Sequence, residues 1–342
     1  MSNISQFFSP SRKTNREFIT GPATRTWPVP PGITELEVHV WGGGGDGLTG
    51  GGGGGGYSRA KLQVGSGDQL SITVGGATET STVTIPTQSP GSPISSTGGG
   101  TGTFCPCACC CQPLSCPNDC RGCAPGGAGG TGTIVLAAPQ PTIYCFTATG
   151  GAGGIGRMNS TTTTRTGGGG GSAGSPYGDG KTGGSATDCN HTASGASVLA
   201  DGCVKSIVPG CLTSCKFAAT CSLRGAEGGS GLYVPDWFNM DQNFAGQGGD
   251  SGYFYMGTDG STCFGPGGPT TTCISYSTVN VDGERGGFLA GGGSGRGCGT
   301  ACGATNAGAG GIAGGGGGSY GAGQITTNRG AGGGSGAVII YY

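Results

Sequence analysis

Histidine is almost missing from this sequence: His39 and His191 are the only two in 342 residues. Charge is scarce as well. Charged side chains make up 10% of the chain, and 16 Lys and Arg stand against 17 Asp and Glu with no long basic run. Such a chain has no electrostatic footprint for a phosphate backbone, so a nucleic-acid partner is not expected. It also lacks the mutual repulsion that drives charged disorder. No stretch approaches about 18 consecutive apolar residues, and the opening MSNISQFFSPSRK has no apolar core of a secretion signal. Neither membrane insertion nor classical secretion is expected from these features.

Bulky side chains are in short supply too. The hydrophobic fraction is 33%, with 3 Trp, 11 Phe and 10 Tyr, which is little volume for a jigsaw core at this length. What fills the place is glycine, 85 residues of it, against the roughly 7% of an ordinary globular chain. Glycine costs more conformational entropy on folding than any other residue, which makes plain disorder the bland alternative. Apolar runs that bracket the glycines, at 36–41 and 337–342, argue for order. Backbone must then supply much of the packing.

Strand signals sit at the two ends of the chain. Residues 35–41, ELEVHVW, place Leu36, Val38 and Val40 on one face and Glu35, Glu37, His39 and Trp41 on the other. The proline-rich lead before them (Pro28, Pro30, Pro31, Gly32) reads as rigid and outside any ladder. Residues 57–64 and 69–74 read as a strand pair joined by the turn sequence Gly65-Ser66-Gly67-Asp68. The closing GAVIIYY is a further strand, and a small antiparallel sheet built from both termini would seal the molecule.

Between these lie glycine blocks, among them 42–56, 98–102, 126–132, 150–156, 167–174, 225–231, 246–252, 286–299, 308–323 and 330–336. A strict Gly-X-Y period is absent, which excludes collagen. Glycine also disfavours helix by about 1 kcal/mol per position relative to alanine. One ordered state remains: extended polyproline-II-like rods, three residues per turn with about 3.1 Å rise and no internal hydrogen bonds. Freed of Cβ atoms, such rods can lie close enough for the N–H of one to meet the C=O of the next. The expected fold is therefore mainly β and irregular, a terminal sheet plus a bundle of glycine rods joined by cysteine-rich loops. The expected division is an N-terminal arm or anchor over 1–20 and a glycine-rich domain over 21–342. Within it, 27–76 form the β opening, 98–336 the rods and loops, and 337–342 the closing strand.

The 18 cysteines cluster. Cys105, Cys107, Cys109, Cys110, Cys111, Cys116, Cys120 and Cys123 crowd one stretch; Cys203, Cys211, Cys215 and Cys221 form another; Cys298 and Cys302 stand near the end, with Cys145, Cys189, Cys263 and Cys273 looser. An even total permits full pairing, and disulfides would brace loops that have no core of their own. A thiolate metal site over Cys111, Cys116, Cys120 and Cys123, or free thiols, are the rival readings.

Catalysis finds little support. His39 reads as structural beside Trp41, His191 has no defined partner, and the loop carboxylates follow no calcium-loop pattern. The glycine runs contain no GxxxxGK[ST]. No enzyme activity and no cofactor is expected. Two aromatic loops are the candidates for contacts: Tyr233, Trp237 and Phe238 in 232–244, and Tyr253 and Tyr255 shortly after. Their rings suit a glycan or a protein surface, and equally a small core or a subunit contact.

The residues at both ends resemble a known family. The stretch FITGPATRTWPVPPGITELEVHVWGGGGDG, the following GGGGGGYSRAKLQVGSGDQLSITVGG and the closing GGGSGAVIIYY are similar to the glycine-rich domain of phage tail-fibre and related virion appendage proteins. The likeness covers about residues 18–76 and 286–342, with Trp27, Pro28, Pro31 and Gly32 matching the opening motif and Val338, Ile340 and Tyr342 the closing strand. It implies a virion or extracellular location, a structural or adhesive role, other virion proteins as neighbours, and a host-surface glycan or protein as ligand. Homo-oligomers, commonly trimers, are the habit of such fibres. A purely architectural fibre or capsid subunit, or a cellular appendage protein, is the alternative. The cysteine-rich insertions depart from the family pattern.

Overall fold

The computed structural model describes residues 15–84, 93–104, 120–135, 144–159, 165–186, 191–197, 201–202, 204–206, 232–233, 244–245, 283, 285–294, 296–297, 307–319 and 330–342. All regular elements among these described residues are strands. In chain order they are β1 (Arg16–Thr20), β2 (Ala23–Pro28), β3 (Glu35–Trp41), β4 (Tyr57–Gln63), β5 (Gln69–Val74), β6 (Ser81–Thr84), β7 (Ile94–Ser96), β8 (Cys120–Ala124), β9 (Gly132–Ile134) and β10 (Tyr144–Ala148). The shorter β11 (Gly156–Asn159), β12 (Arg165–Thr166), β13 (His191–Ala193), β14 (Val204–Ser206), β15 (Leu232–Tyr233), β16 (Phe244–Ala245) and β17 (Arg296–Gly297) precede the closing β18 (Ala337–Tyr341).

Two five-stranded antiparallel sheets carry the side-chain core. The first has the order β1-β18-β3-β4-β10, the second β2-β5-β6-β7-β9. The last strand thus lies between two of the first, with Ile340 opposite both Glu17 and Val38, as the terminal apolar runs predict. The sheet begins at Arg16, inside the stretch read as an arm.

Both faces of β3 are buried, and they serve different partners. Leu36, Val38 and Val40 join Ala60, Leu62, Leu70, Ile72, Val83 and Ile94 in a cluster between the two sheets. Trp41 joins Tyr57, Phe288, Leu289, Ala313 and Ile339 on the opposite face of the first sheet. That second cluster seats the sheet on the glycine region. Two turns there place Leu289 and Ala313 at φ of 64° and 59°, a left-handed conformation that glycine would adopt freely. Burial of the two side chains offsets that cost.

Two sequence expectations are corrected. Strands β4 and β5 exist where predicted but do not pair with each other: β4 lies between β3 and β10, β5 between β2 and β6. The turn between them passes from one sheet to the other, with Gly67 at φ 90° and the Asp68 carboxylate accepting the Gly65 N–H at 2.8 Å. Alternation fixes which face of a strand is apolar, and both strands direct that face into the same inter-sheet core from opposite sides. Pro30, Pro31 and Gly32 of the proline-rich lead lie outside any strand, but Pro28 does not, since Trp27 and Pro28 close β2 opposite Leu70 and Gln69. Proline is tolerated there because β2 is an edge strand.

The disulfide expectation is corrected as well. Among the described residues there is no disulfide, and Cys145 is an exposed free thiol on the edge strand β10, opposite Ala60. What ties these segments together is backbone hydrogen bonding. Cys120 and Cys123 lie on β8; Cys105, Cys107, Cys109, Cys110, Cys111, Cys116, Cys203, Cys211, Cys215, Cys221, Cys298 and Cys302 lie outside the described residues.

Candidate functional site

The glycine segments form a hydrogen-bonded lattice beneath the first sheet, and residues 50–56 lie at its centre. Their N–H groups leave in three directions. Gly51 and Gly54 donate to Gly154 and Gly151, Gly52 and Gly55 to Gly316 and Ala313, Gly53 and Gly56 to Gly100 and Thr97, all at 2.8–3.0 Å. Their carbonyls serve three further segments. Gly127 and Gly130 donate to Gly51 and Gly54, Gly171 and Gly174 to Gly52 and Gly55, Gly45 and Gly42 to Gly53 and Gly56, at 2.7–3.1 Å. Every third residue returns to the same neighbour, and six segments surround the seventh.

The repulsive side of the same geometry shows why glycine is required. A Cβ placed on Gly50 or Gly53 would meet the carbonyls of Pro125 or Ala128; on Gly51 or Gly54, those of Gly169 or Ser172; on Gly52 or Gly55, those of Gly45 or Gly42. Each approach is well inside 3.0 Å, closer than real Cβ atoms come. The obstacle is backbone in every case, so no rotamer change relieves it.

Segment 168–174 has the same environment, bonded to 50–56, 149–155, 180–186, 193–197, 286–294 and 313–319. At the margins, side-chain acceptors take over where the described residues supply no neighbouring segment. Asp179 Oδ1 accepts from Thr149 N, Asp201 Oδ1 from Thr182 N, Asp46 Oδ1 from Gly333 N and Ser185 Oγ from Ile155 N, at 2.8–3.0 Å. Among the described residues the one buried side-chain polar atom without a hydrogen-bond partner is Thr49 Oγ1. Near-complete satisfaction of this kind is what a water-free interior demands.

The lattice meets the sheet through an aromatic and ionic seam. Trp41 Nε1 donates to the Gly174 carbonyl at 3.0 Å, and the Trp41 ring lies against Tyr57 and Phe288 with centroids at 4.9 and 6.2 Å. His39 is stacked on Trp41 and lies edge-on to Tyr341. The His39 Nε2 is 3.0 Å from Glu37 Oε1 and its Nδ1 2.8 Å from the Tyr57 hydroxyl. A neutral ring protonated at Nε2 donates to the carboxylate and accepts from the phenol, which satisfies both. Arg59 donates to the same Glu37 oxygen at 2.6 Å.

Burial pushes the His39 pKa down, against the pull of Glu37. Burial alone would raise Glu37, but the His39 hydrogen bond and the Arg59 charge outweigh it and hold the carboxyl at about 2. The line of carboxylate, imidazole and hydroxyl has the order of an acid–base relay. With His39 2% and Tyr57 0% exposed, it is closed to substrate, and it acts as a buried polar clamp.

Of the contact aromatics, Tyr233 lies on β15 opposite Phe244; Trp237, Phe238, Tyr253 and Tyr255 lie outside the described residues. No group of three or more His, Cys, Asp or Glu able to hold a metal occurs among the described residues, and no helix there is long and apolar enough to cross a membrane.

The connections divide between two ends of the lattice. Gly56 runs into β4 and Thr131 into β9, while Thr149 follows β10, so these termini lie at the sheets. Gly50, Thr103 and Pro125 are joined at the other end, where Gly50 donates to Thr103 and Thr103 to Pro125. There β8, β11, β12 and β17 form a small sheet, with Cys120 and Cys123 on β8. Sequence reasoning missed one signal: PGGAGGT over 125–131 and TGGAGGI over 149–155 are short x-Gly-Gly repeats, and their outward residues recur every third position. Comparison with known proteins finds no matching family model and no matching curated protein, so the tail-fibre and virion assignment rests on sequence motifs alone.

Proposed function

We propose that this chain is a non-enzymatic scaffold, a bundle of polyproline-II-like glycine rods that seats on a β-sandwich and carries contact loops at its far end. The observation behind this reading is the three-residue recurrence of hydrogen-bond partners around 50–56. Three residues per turn without internal hydrogen bonds is the signature of the polyproline-II helix, whereas an α-helix repeats at 3.6 and a strand at 2. Such a lattice resists bending because every rod is tied to its neighbours along its length. A rigid spacer with loops at one end suits attachment, where loops recognise and the scaffold positions them. The setting we propose is a virion appendage in contact with a host-surface glycan or protein, on the strength of the opening and closing motifs. The buried His39 seam supports a structural role for the one histidine in the described core.

Immunogold labelling of intact particles, combined with binding of the purified chain to whole host cells, tests this. Label at an appendage together with saturable cell binding supports the attachment role. Label along a shaft or shell with no cell binding assigns the scaffold to architecture instead. Absence from particles and from cells overturns the virion setting.

A further inference from the structure

The lattice has an outer face, made by segments 97–103, 125–131 and 149–155, and the side chains on it follow a rule. In 149–155, a Cβ on Gly150 or Gly153 would strike the carbonyls of Gly54 or Gly51, and one on Gly151 or Gly154 those of Lys181 or Gly184. The third set of positions, Thr149, Ala152 and Ile155, is turned away from both neighbours; Thr149 and Ala152 are exposed and Ile155 is half-buried. Segment 125–131 repeats the pattern. Gly126 and Gly129 face the carbonyls of Gly153 and Gly150, Gly127 faces that of Gly100, and the remaining Pro125, Ala128 and Thr131 are exposed. In these two segments glycine stands wherever a rod lies opposite, and a Cβ stands wherever a further rod would have to be added.

That face is otherwise ready to grow. The N–H groups of Gly126 and Gly129 and the carbonyls of Gly150 and Gly153 take no backbone partner among the described residues. They are rows of donors and acceptors of the kind that an edge strand presents to a second chain. An incoming glycine rod could pair with them only by approaching as closely as the rods inside do, and at that distance the outward Cβ atoms collide with its backbone. Carboxylate and hydroxyl caps on Thr149 N and Ile155 N remove further donors from the same margin.

We propose that the outward x-Gly-Gly side chains, Ala128, Thr131, Thr149 and Ala152 above all, terminate the lattice and keep a glycine rod of a second copy from adding to this face. The inference rests on the rod reading of the scaffold and is independent of its biological setting. It makes copies of the chain meet elsewhere than through this face, and it explains how a sequence a quarter glycine avoids open-ended accretion.

The test is the size of the full-length chain in solution, by sedimentation velocity over a concentration series. Replacing Ala128, Thr131, Thr149 and Ala152 together with Gly is expected to produce species larger than the parent that grow with concentration. The milder Ala152→Gly alone should lower the concentration at which they appear by less. The paired Thr131→Ala and Thr149→Ala variant keeps both Cβ atoms and should match the parent. Parent-like size for both glycine variants overturns the proposal, as does equal association of the alanine pair. Far-UV circular dichroism of each protein separates the two readings: loss of the polyproline-II signature in the parent itself would sink the rod reading, whereas an intact signature without association sinks only the blocking role.

Discussion

The β-sandwich and the glycine lattice both exclude water, yet they are specified in opposite ways. In the sandwich, Leu36, Val38, Ile72 and Ile340 fill space with side chains, and the backbone stays about 10 Å from the facing sheet. In the lattice the backbones themselves are in contact and glycine's missing Cβ is what brings them together. The first kind of core tolerates volume-conserving exchange because rotamers can adjust. The second has nothing to adjust. A protein that combines them places its tolerance at one end and its stringency at the other.

The sharpest way to break that comparison is one methyl group. Gly53→Ala sets a Cβ against the Ala128 carbonyl, and every neighbour is itself held by hydrogen bonds. We expect a loss above about 4 kcal/mol, the exceptional range for a single substitution, or no folding at all, seen by thermal melting. A loss under about 1 kcal/mol would show that the lattice yields. The sandwich counterpart, Leu36→Ala, removes a fully buried side chain and should cost about 2–5 kcal/mol while the protein still folds.

The seam between the two regions gives an intermediate effect with a pH signature. Glu37 is held at about 2 in the fold against 4.5, so its contribution is complete above 4.5 and is lost as pH falls from there toward 2. His39 is lowered by burial, so its neutral form stabilises the fold above about 6.5, and that contribution declines on acidification below it. The two effects share a sign. Stability measured by denaturant titration should fall steadily below pH 6.5, and Glu37→Gln should flatten the part below 4.5, by on the order of 2–3 kcal/mol. An unchanged profile in Glu37→Gln would remove the seam's ionic role. Trp41→Phe, which deletes the donor to Gly174 while keeping a ring, should cost about 1–3 kcal/mol and leave the pH profile in place.

How much of this was legible in the sequence follows the same division. Side-chain patterns announced β3, β4, β5 and β18 with the apolar face of β3, because alternation is a local signal. The partnering of β4 and β5 was not legible: a good turn sequence between two strands fits a hairpin and a crossing between sheets equally well. Glycine content announced close backbones, but which segments touch depends on contacts such as Gly53 to Gly100 that identical residues cannot label. The informative positions were the few non-glycines. Ala128 and Ala152 mark the outside of the lattice, and His39, already on one face with Glu37, marks the seam only because Tyr57 comes to it from a strand that a linear reading leaves apart.

Those non-glycines carry the smallest predicted effect and the cleanest contrast. Ala128 and Gly127 are adjacent, in one segment, with almost the same composition around them. The side chain of Ala128 points to solvent, whereas a Cβ on Gly127 would strike the Gly100 carbonyl. Ala128→Lys therefore extends a chain into water and should change stability by no more than about 0.5 kcal/mol, while Gly127→Ala, a far smaller chemical change, should unfold the segment. Thermal melts of the two variants side by side read the direction of each Cβ. Equal melting temperatures would mean that the three-residue rotation does not govern this segment. A large loss in the lysine variant alone would place a neighbour where the lattice has its outer face.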